Sequence, residues 1–373
     1  MSRSDEFPRE RRRAGRHRPV RLGRELPAAS GPGGEPADFR LFQEEASARA
    51  HKGDLDGAVA MWRRALTVDP ERADAWFDLG NAEEALGRPL AAAEAYRRCV
   101  ERDPGAVEAW NNLGNALVHA GRAADAVEAY RRAIEIRPDR WECWYNLGHA
   151  ESDRSAWERA IEAYRRALDA RPDAYPVWFN LAFASASAGD LATAADAYRR
   201  ASALDPDDYE VWYNLGNVCL DLGQVAEAAT AFATALSRRA DDPEVWNNYG
   251  NALAQSARLE DAGKAYRRAL ELRAHYHPAW NNLGNVLEES GDLPGAEEAY
   301  TRALELSFDQ PTYHVNLASL LARRGDRDRA VDHLIHAVGL DPALREWIPG
   351  FVEFAPLLAD GRLAASLGPG GEV

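Results

Sequence analysis

Tryptophan stands at Trp76, Trp110, Trp144, Trp178, Trp212, Trp246 and Trp280, each 34 residues after the last, and Phe42 and His314 hold the same slot at the two ends. A side chain this bulky needs one kind of surrounding, and only a tandem array supplies it at a fixed interval. Glycine runs in register at Gly80, Gly114, Gly148, Gly216, Gly250 and Gly284, and alanine fills an unbroken column from Ala58 to Ala330. An aromatic column follows at Tyr96, Tyr130, Tyr164, Tyr198, Phe232, Tyr266 and Tyr300.

Within one period, Trp110, Leu113, Gly114 and Leu117 are spaced as one face of a helix. Gly121 breaks the pattern, Ala126, Ala129, Tyr130 and Ala133 resume it, and Pro138 stops it. Each period therefore predicts two antiparallel helices, with the glycine and alanine columns allowing their backbones to approach closely. No single period can bury its own Trp and Tyr, so stability has to be shared along a stack. Pro89 and Pro294 fall in the first turn of a second helix, where the missing N–H costs nothing. At the last three boundaries the proline moves to Pro243, Pro278 and Pro311, which predicts turns that are longer or differently angled.

The columns of W, L-G, A, aromatic, A and P at these offsets resemble the signature of the tetratricopeptide repeat family across residues 39–344. The resemblance implies an all-α fold, a right-handed α-solenoid of nine tandem 34-residue helix-turn-helix repeats. Their bounds are 39–72, 73–106, 107–140, 141–174, 175–208, 209–242, 243–276, 277–310 and 311–344. Residues 345–373 carry Trp347, Phe351, Phe354, Leu357, Leu358 and Leu363, enough apolar surface for one or two C-terminal capping helices before a frayed tail. Residues 1–38 hold nine arginines against six acids, no period and a GPGGEP stretch, the composition of a disordered basic arm.

Charge narrows the function. The chain carries −15 overall, and with the arm at +3 the array and cap carry −18, which repels phosphate and disfavours nucleic acid as a ligand. Three widely spaced cysteines, Cys99, Cys143 and Cys219, indicate neither a disulfide framework nor a metal site. No apolar run is long enough to span a membrane and the arginine-rich start lacks the apolar core of a signal peptide, so the expected address is the cytoplasm. No catalytic residue and no cofactor is expected.

Two residues after the tryptophan slot comes a column of amides: Asn112, Asn146, Asn180, Asn214, Asn248, Asn282 and Asn316. A second, partial column holds Asn81, Asn115, Asn217, Asn251 and Asn285. Both lie off the Trp/Leu/Gly face of the first helix. A primary amide both donates and accepts, so a row of them suits a peptide backbone without reading its side chains. The array is similar in this respect to that of the O-linked N-acetylglucosamine transferases, though without their catalytic domain. That resemblance implies an asparagine ladder gripping an extended peptide in a concave groove; the competing reading is that each amide bonds to a neighbouring repeat.

Phe77, Tyr145, Phe179 and Tyr213, directly after the tryptophan, and Phe183 are candidate groove aromatics that anchor a partner's apolar side chain. The alternative is packing between successive first helices. His119 and His149 read as polar groove residues, and His333 and His336 as packing or surface positions. Asp74, Glu108, Glu142, Glu210 and Glu244 complement helix dipoles, and with Asp153, Asp221 and Glu289 they would favour a basic partner. The groove slots hold Asn, Tyr and Phe where chaperone-binding relatives carry a Lys/Arg clamp. The expected function is thus a non-catalytic protein-interaction scaffold. An accessory subunit presenting substrates to a glycosyltransferase or a secretion complex is the alternative.

Overall fold

The computed structural model describes residues 37–368. The basic arm and the frayed tail expected at the two termini therefore fall, but for Ala37 and Asp38, outside the described residues. The chain forms two compact units, Met1–Pro206 and Asp207–Val373.

In the N-terminal unit the helices come in pairs: Ala37–His51 with Leu55–Val68, Ala73–Ala85 with Pro89–Arg102, and Val107–His119 with Ala123–Ile136. Trp141–Asp153 with Trp157–Ala170 and Tyr175–Ala188 with Leu191–Leu204 complete it. The C-terminal unit pairs Tyr209–Asp221 with Val225–Arg238, Pro243–Gln255 with Leu259–Leu272, His277–Glu289 with Leu293–Leu306, and Pro311–Arg324 with Arg327–Leu340. No strand occurs among the described residues.

The reversal between paired helices follows from one left-handed residue. Gly121, at φ 74°, lets its own N–H reach the Val118 carbonyl at 2.9 Å and that of Arg122 reach Leu117 at 2.8 Å. Carbonyls left open at the end of the first helix are satisfied in this way. Ser155 and Ala257 adopt the same conformation, at φ 56° and 57°, without being glycine.

The tryptophan column has a polar task as well as an apolar one. Nε1–H of Trp110 donates to the carbonyl of Pro104 at 2.9 Å, and that of Trp144 to Pro138 at 2.9 Å. In the other unit Trp246 and Trp280 donate to Ala240 and Ala274, at 2.9 and 3.0 Å. A carbonyl is sufficient, so losing the proline there changes nothing. The late turns also keep the earlier length: Ile136 is followed by a helix start at Trp141, and Leu272 by one at His277. Pro243, Pro278 and Pro311 simply open the next helix, where proline's fixed φ is already helical.

At the C-terminus the cap consists of two short helices, Leu344–Trp347 and Gly361–Leu367, separated by 3-10 turns. Pro349 and Pro356 lie in those turns and prevent a continuous helix. Ile348, Phe354, Leu357, Leu363 and Leu367 still close over Leu317, Leu321, Leu334 and Val338 of repeat 9.

Candidate functional site

First helices of successive repeats touch one another within each unit, and that contact decides what the first asparagine column does. Asn112 and Asn146 are 0% exposed and Asn180 is 3% exposed. Asn146 Nδ2 donates to Asn111 Oδ1 at 2.8 Å, and Asn180 Nδ2 to the Tyr145 hydroxyl at 3.0 Å. Asn112 Oδ1 accepts from Asn111 at 3.3 Å. The face opposite the paired second helix is therefore not open here. It abuts the preceding repeat, and a buried amide must find its partner there. For Asn112, Asn146 and Asn180 the expectation of a solvent-facing ladder is corrected.

In the C-terminal unit the same column is only half-buried. Asn248 Nδ2 donates to Asn217 Oδ1 at 2.9 Å. Asn282 Nδ2 donates to Asn247 at 3.0 Å and Asn251 at 3.1 Å, and Asn316 Nδ2 to Asn281 at 2.9 Å and Asn285 at 3.3 Å. Asn214 is half-buried with no side-chain hydrogen bond among the described residues.

The second column is oriented from behind. Tyr130 and Tyr266 hydroxyls donate to Oδ1 of Asn115 and Asn251 at 2.7 and 2.8 Å, and the one proton of Tyr300 is shared between Asn285 Oδ1 at 2.8 Å and Glu288 Oε2 at 2.9 Å. Asn115 is buried, Asn217 and Asn251 are half-buried, and Asn285 is exposed. In Asn217, Asn251 and Asn285 every side-chain hydrogen bond among the described residues uses the oxygen, and the Nδ2 group has no partner there.

Most of the aromatic candidates are corrected too. Phe77, Tyr145 and Phe179 are buried. Each ring tucks onto the second-helix aromatic of its own repeat: Phe77 on Tyr96 at 5.8 Å, Tyr145 on Tyr164 at 6.1 Å, Phe179 on Tyr198 at 5.8 Å. Phe183, half-buried, meets Trp157 edge-on at 6.1 Å. Tyr213, also half-buried, stacks on Tyr209 with 2° between the ring planes.

The sequence reading missed the rings one turn earlier. Trp141 and Tyr175 pack on Tyr145 and Phe179 at 6.1 and 6.3 Å. The Arg171 guanidinium lies 4.9 Å from the Trp141 ring, and that of Arg239 lies 3.6 Å from Tyr209. Tyr209 donates to Asp242 at 2.7 Å, and burial together with that carboxylate holds its phenol well above the ordinary range. The i−4 spacing to an aromatic was the available signal.

His149 is pushed below the usual imidazole range, chiefly by burial, although Asp153 stands 3.6 Å away; it is neutral near neutral pH. His119 lies 3.6 Å from Glu84. Asp153 and Glu289 are exposed, and burial raises the Asp221 carboxyl. Burial pushes the Cys99 and Cys143 thiols up to about 12, so neither is a ready nucleophile. No group of three His, Cys, Asp or Glu among the described residues is arranged to hold a metal. No described helix is long and apolar enough to cross a membrane.

A family model described as the cilia and flagella-associated protein 70 C-terminal domain matches residues 105–313, more than half the chain. Two described as tetratricopeptide repeat match residues 44–106 and 311–334. No curated protein matches. Among solved structures, MamA is 24% identical with a TM-score of 0.44, over 46% of this chain and 93% of that one. YrrB, a TPR protein with an unusual peptide-binding site, is 20% identical with a TM-score of 0.47, over 50% and 96%. A tetratricopeptide repeat protein from Parabacteroides merdae is 14% identical with a TM-score of 0.48, over 68% and 100%. With its columns, its paired helices and these family matches, the chain belongs to the tetratricopeptide repeat family.

Proposed function

We propose that the protein is a non-catalytic interaction scaffold that holds an extended segment of a partner protein against the first-helix face of its C-terminal unit. The amide donors of Asn217, Asn251 and Asn285 carry this reading. They occupy one register position on consecutive repeats, their oxygens accept from Asn248, from Tyr266 and Asn282, and from Asn316, and their N–H groups are uncommitted among the described residues. A row of fixed donors matches the carbonyls of an extended chain and is indifferent to its side chains. Exposed Glu289 beside the row favours basic side chains on the segment. In the N-terminal unit the equivalent positions hold half-buried Asn81, buried Asn115, then His149 and Phe183, so the unbroken run of three half-buried or exposed asparagines lies in the C-terminal unit.

Panning a random-peptide display library on the full chain tests this, beside a variant carrying Asn217→Asp, Asn251→Asp and Asn285→Asp. Aspartate keeps the oxygen that Tyr266, Tyr300 and the neighbouring asparagines need and replaces the donor with a charged acceptor. That change strengthens pure charge attraction for basic side chains while abolishing the N–H contact. Peptides enriched on the native chain should be lost on the variant while its thermal midpoint is preserved. Equal retention would show that the row is structural.

A further inference from the structure

A cleft of about 530 Å³ opens beside repeat 7, with Trp246, Tyr249, Leu253 and Ala265 on its floor and Lys264 and Arg267 on its rim. Trp246, Tyr249 and Leu253 lie on the opposite face of their helix from Asn248 and Asn251, so the cleft is separate from the amide row.

The register explains why it is open. At this locus the residue after a second-helix aromatic meets the first helix of the next repeat. Arg63 bonds Glu83 there at 2.7 Å, and Arg131 approaches Glu151 at 3.5 Å. Arg131 and Glu151 accordingly fill much of the corresponding cleft in repeat 4, which measures about 290 Å³. The acid stands at this register only as Glu83 and Glu151, and Leu253 matches Leu117 and Leu287. What changes before repeat 7 is the arginine of Arg63, Arg97, Arg131, Arg165 and Arg199, replaced by exposed Ala233. Tyr249 stands where Leu113 and Leu147 stand elsewhere, adding a ring that meets Trp246 at 6.2 Å.

Charge at the rim is equally out of pattern. The position that holds Glu94, Glu128 and Glu162 in earlier repeats holds Lys264. Arg267 thereby loses the acid three residues before it, and it makes no hydrogen bond or ion pair among the described residues; the Tyr249 hydroxyl likewise makes no hydrogen bond. Around the cleft Arg258 pairs with Asp261 at 2.6 Å, Lys264 with Glu260 at 2.6 Å and Arg268 with Glu271 at 2.7 Å. Arg267 is thus the cation left uncommitted there, in a chain whose net charge is −15.

We propose that this cleft is a second docking site, and that its occupant is an acidic segment of a partner protein: an apolar side chain rests on Trp246 and Tyr249 while a carboxylate pairs with Arg267. An aromatic floor with an uncommitted guanidinium is the arrangement in which a few side chains dominate binding, and a bidentate carboxylate contact is what a free guanidinium offers.

Fluorescence anisotropy of the full chain with a labelled acidic peptide, Asp-Glu-Phe-Leu-Asp-Glu, tests it against the basic counterpart Lys-Arg-Phe-Leu-Lys-Arg. The acidic peptide should bind saturably and the basic one should not. Arg267→Glu should weaken binding by about tenfold or more. Ala233→Arg, an exposed substitution that restores the pattern of the other repeats, should weaken it as well despite adding positive charge. Asn251→Asp should leave it unchanged, which keeps this site's failure distinct from that of the amide row. Absence of saturable binding overturns the proposal, and so does binding that Ala233→Arg leaves intact or strengthens, because that is diffuse charge attraction.

Discussion

Tyr130 lies so close over Gly114 that a methyl group on the glycine would meet the ring's Cε1 at 2.4 Å. The same ring donates its hydroxyl to Asn115 at 2.7 Å, so one side chain closes the helix pair and orients the neighbouring amide. Gly114→Ala gains helix propensity of about 1 kcal/mol but forces the ring out of its seat, an overpacking cost of about 1–3 kcal/mol. The variant should unfold at lower urea. In repeat 5 the same register holds buried Ala182 against buried Tyr198. There Ala182→Gly should destabilise, since it loses both the propensity and a packed methyl. A gain in stability from Gly114→Ala would contradict the ring's role.

Ala257 holds a left-handed conformation, φ 57°, at the position where Gly121 and Gly223 end their helices at 74° and 72°. An L-residue there pays about 1–2 kcal/mol, which glycine does not, while glycine gives back part of that through a freer unfolded chain. Ala257→Gly is therefore expected to stabilise the C-terminal unit by about 1 kcal/mol. Differential scanning calorimetry reads this as a rise in the unfolding midpoint, and a fall would refute it.

The helices were legible because a period of 34 residues repeats each signal: the paired helices begin and end where the Trp, Gly and aromatic columns place them. The polar partners were not. Asn146 meets Asn111 across 35 residues, a separation set by how one repeat is offset on the next, and no spacing within a helix encodes that offset. Phe77 and Tyr145 failed as groove anchors for a related reason. Helical periodicity places them away from the tryptophan, but only the tilt of the second helix brings Tyr96 and Tyr164 under them. The cleft interrupts two columns, at Tyr249 and Ala233, a signal that the sequence carries and its reading missed, and it gains meaning only once Arg131 and Glu151 show how an arginine can fill the space.

Asn146 and Asn285 should separate stability from recognition. Removing the Asn146 amide strands the Asn111 oxygen in a site where both residues are 0% exposed. An unsatisfied buried acceptor costs about 1–3 kcal/mol, so Asn146→Ala should lower the denaturation midpoint clearly. Asn285 is exposed, and water can replace it at Tyr300 and Asn316. Asn285→Ala should thus move stability by less than about 1 kcal/mol. Equal losses in chemical denaturation would mean that the second column is as structural as the first.

Repeat 9 carries an acid-sensitive pair in the tryptophan slot. His314 Nε2–H donates to the Phe308 carbonyl at 2.9 Å, which leaves its Nδ1 lone pair to accept from His333 Nδ1–H at 3.0 Å. His314 has to be neutral for that bond, because a protonated His314 would point N–H at N–H, whereas His333 keeps its Nδ1–H donor on protonation and is held neutral instead by burial. Burial, with the adjacent His314, pushes His333 down to about 4, and burial also lowers His314, with Arg329, His336 and Asp332 as the charged or titratable neighbours. The unfolded chain takes up these protons near pH 6.5 and the folded one only below that, so the unfolded state binds more protons in between and stability falls as the pH is lowered. The pair's contribution is complete above about pH 6.5, declines toward about pH 4, and is gone below it. Amide hydrogen exchange in Arg327–Leu340 should accelerate across that window. His314→Trp restores the indole donor used by Trp280 and should flatten the profile. An exchange rate independent of pH in the native protein, after correction for intrinsic chemistry, would show that the histidine pair does not couple protonation to the packing of the last repeat.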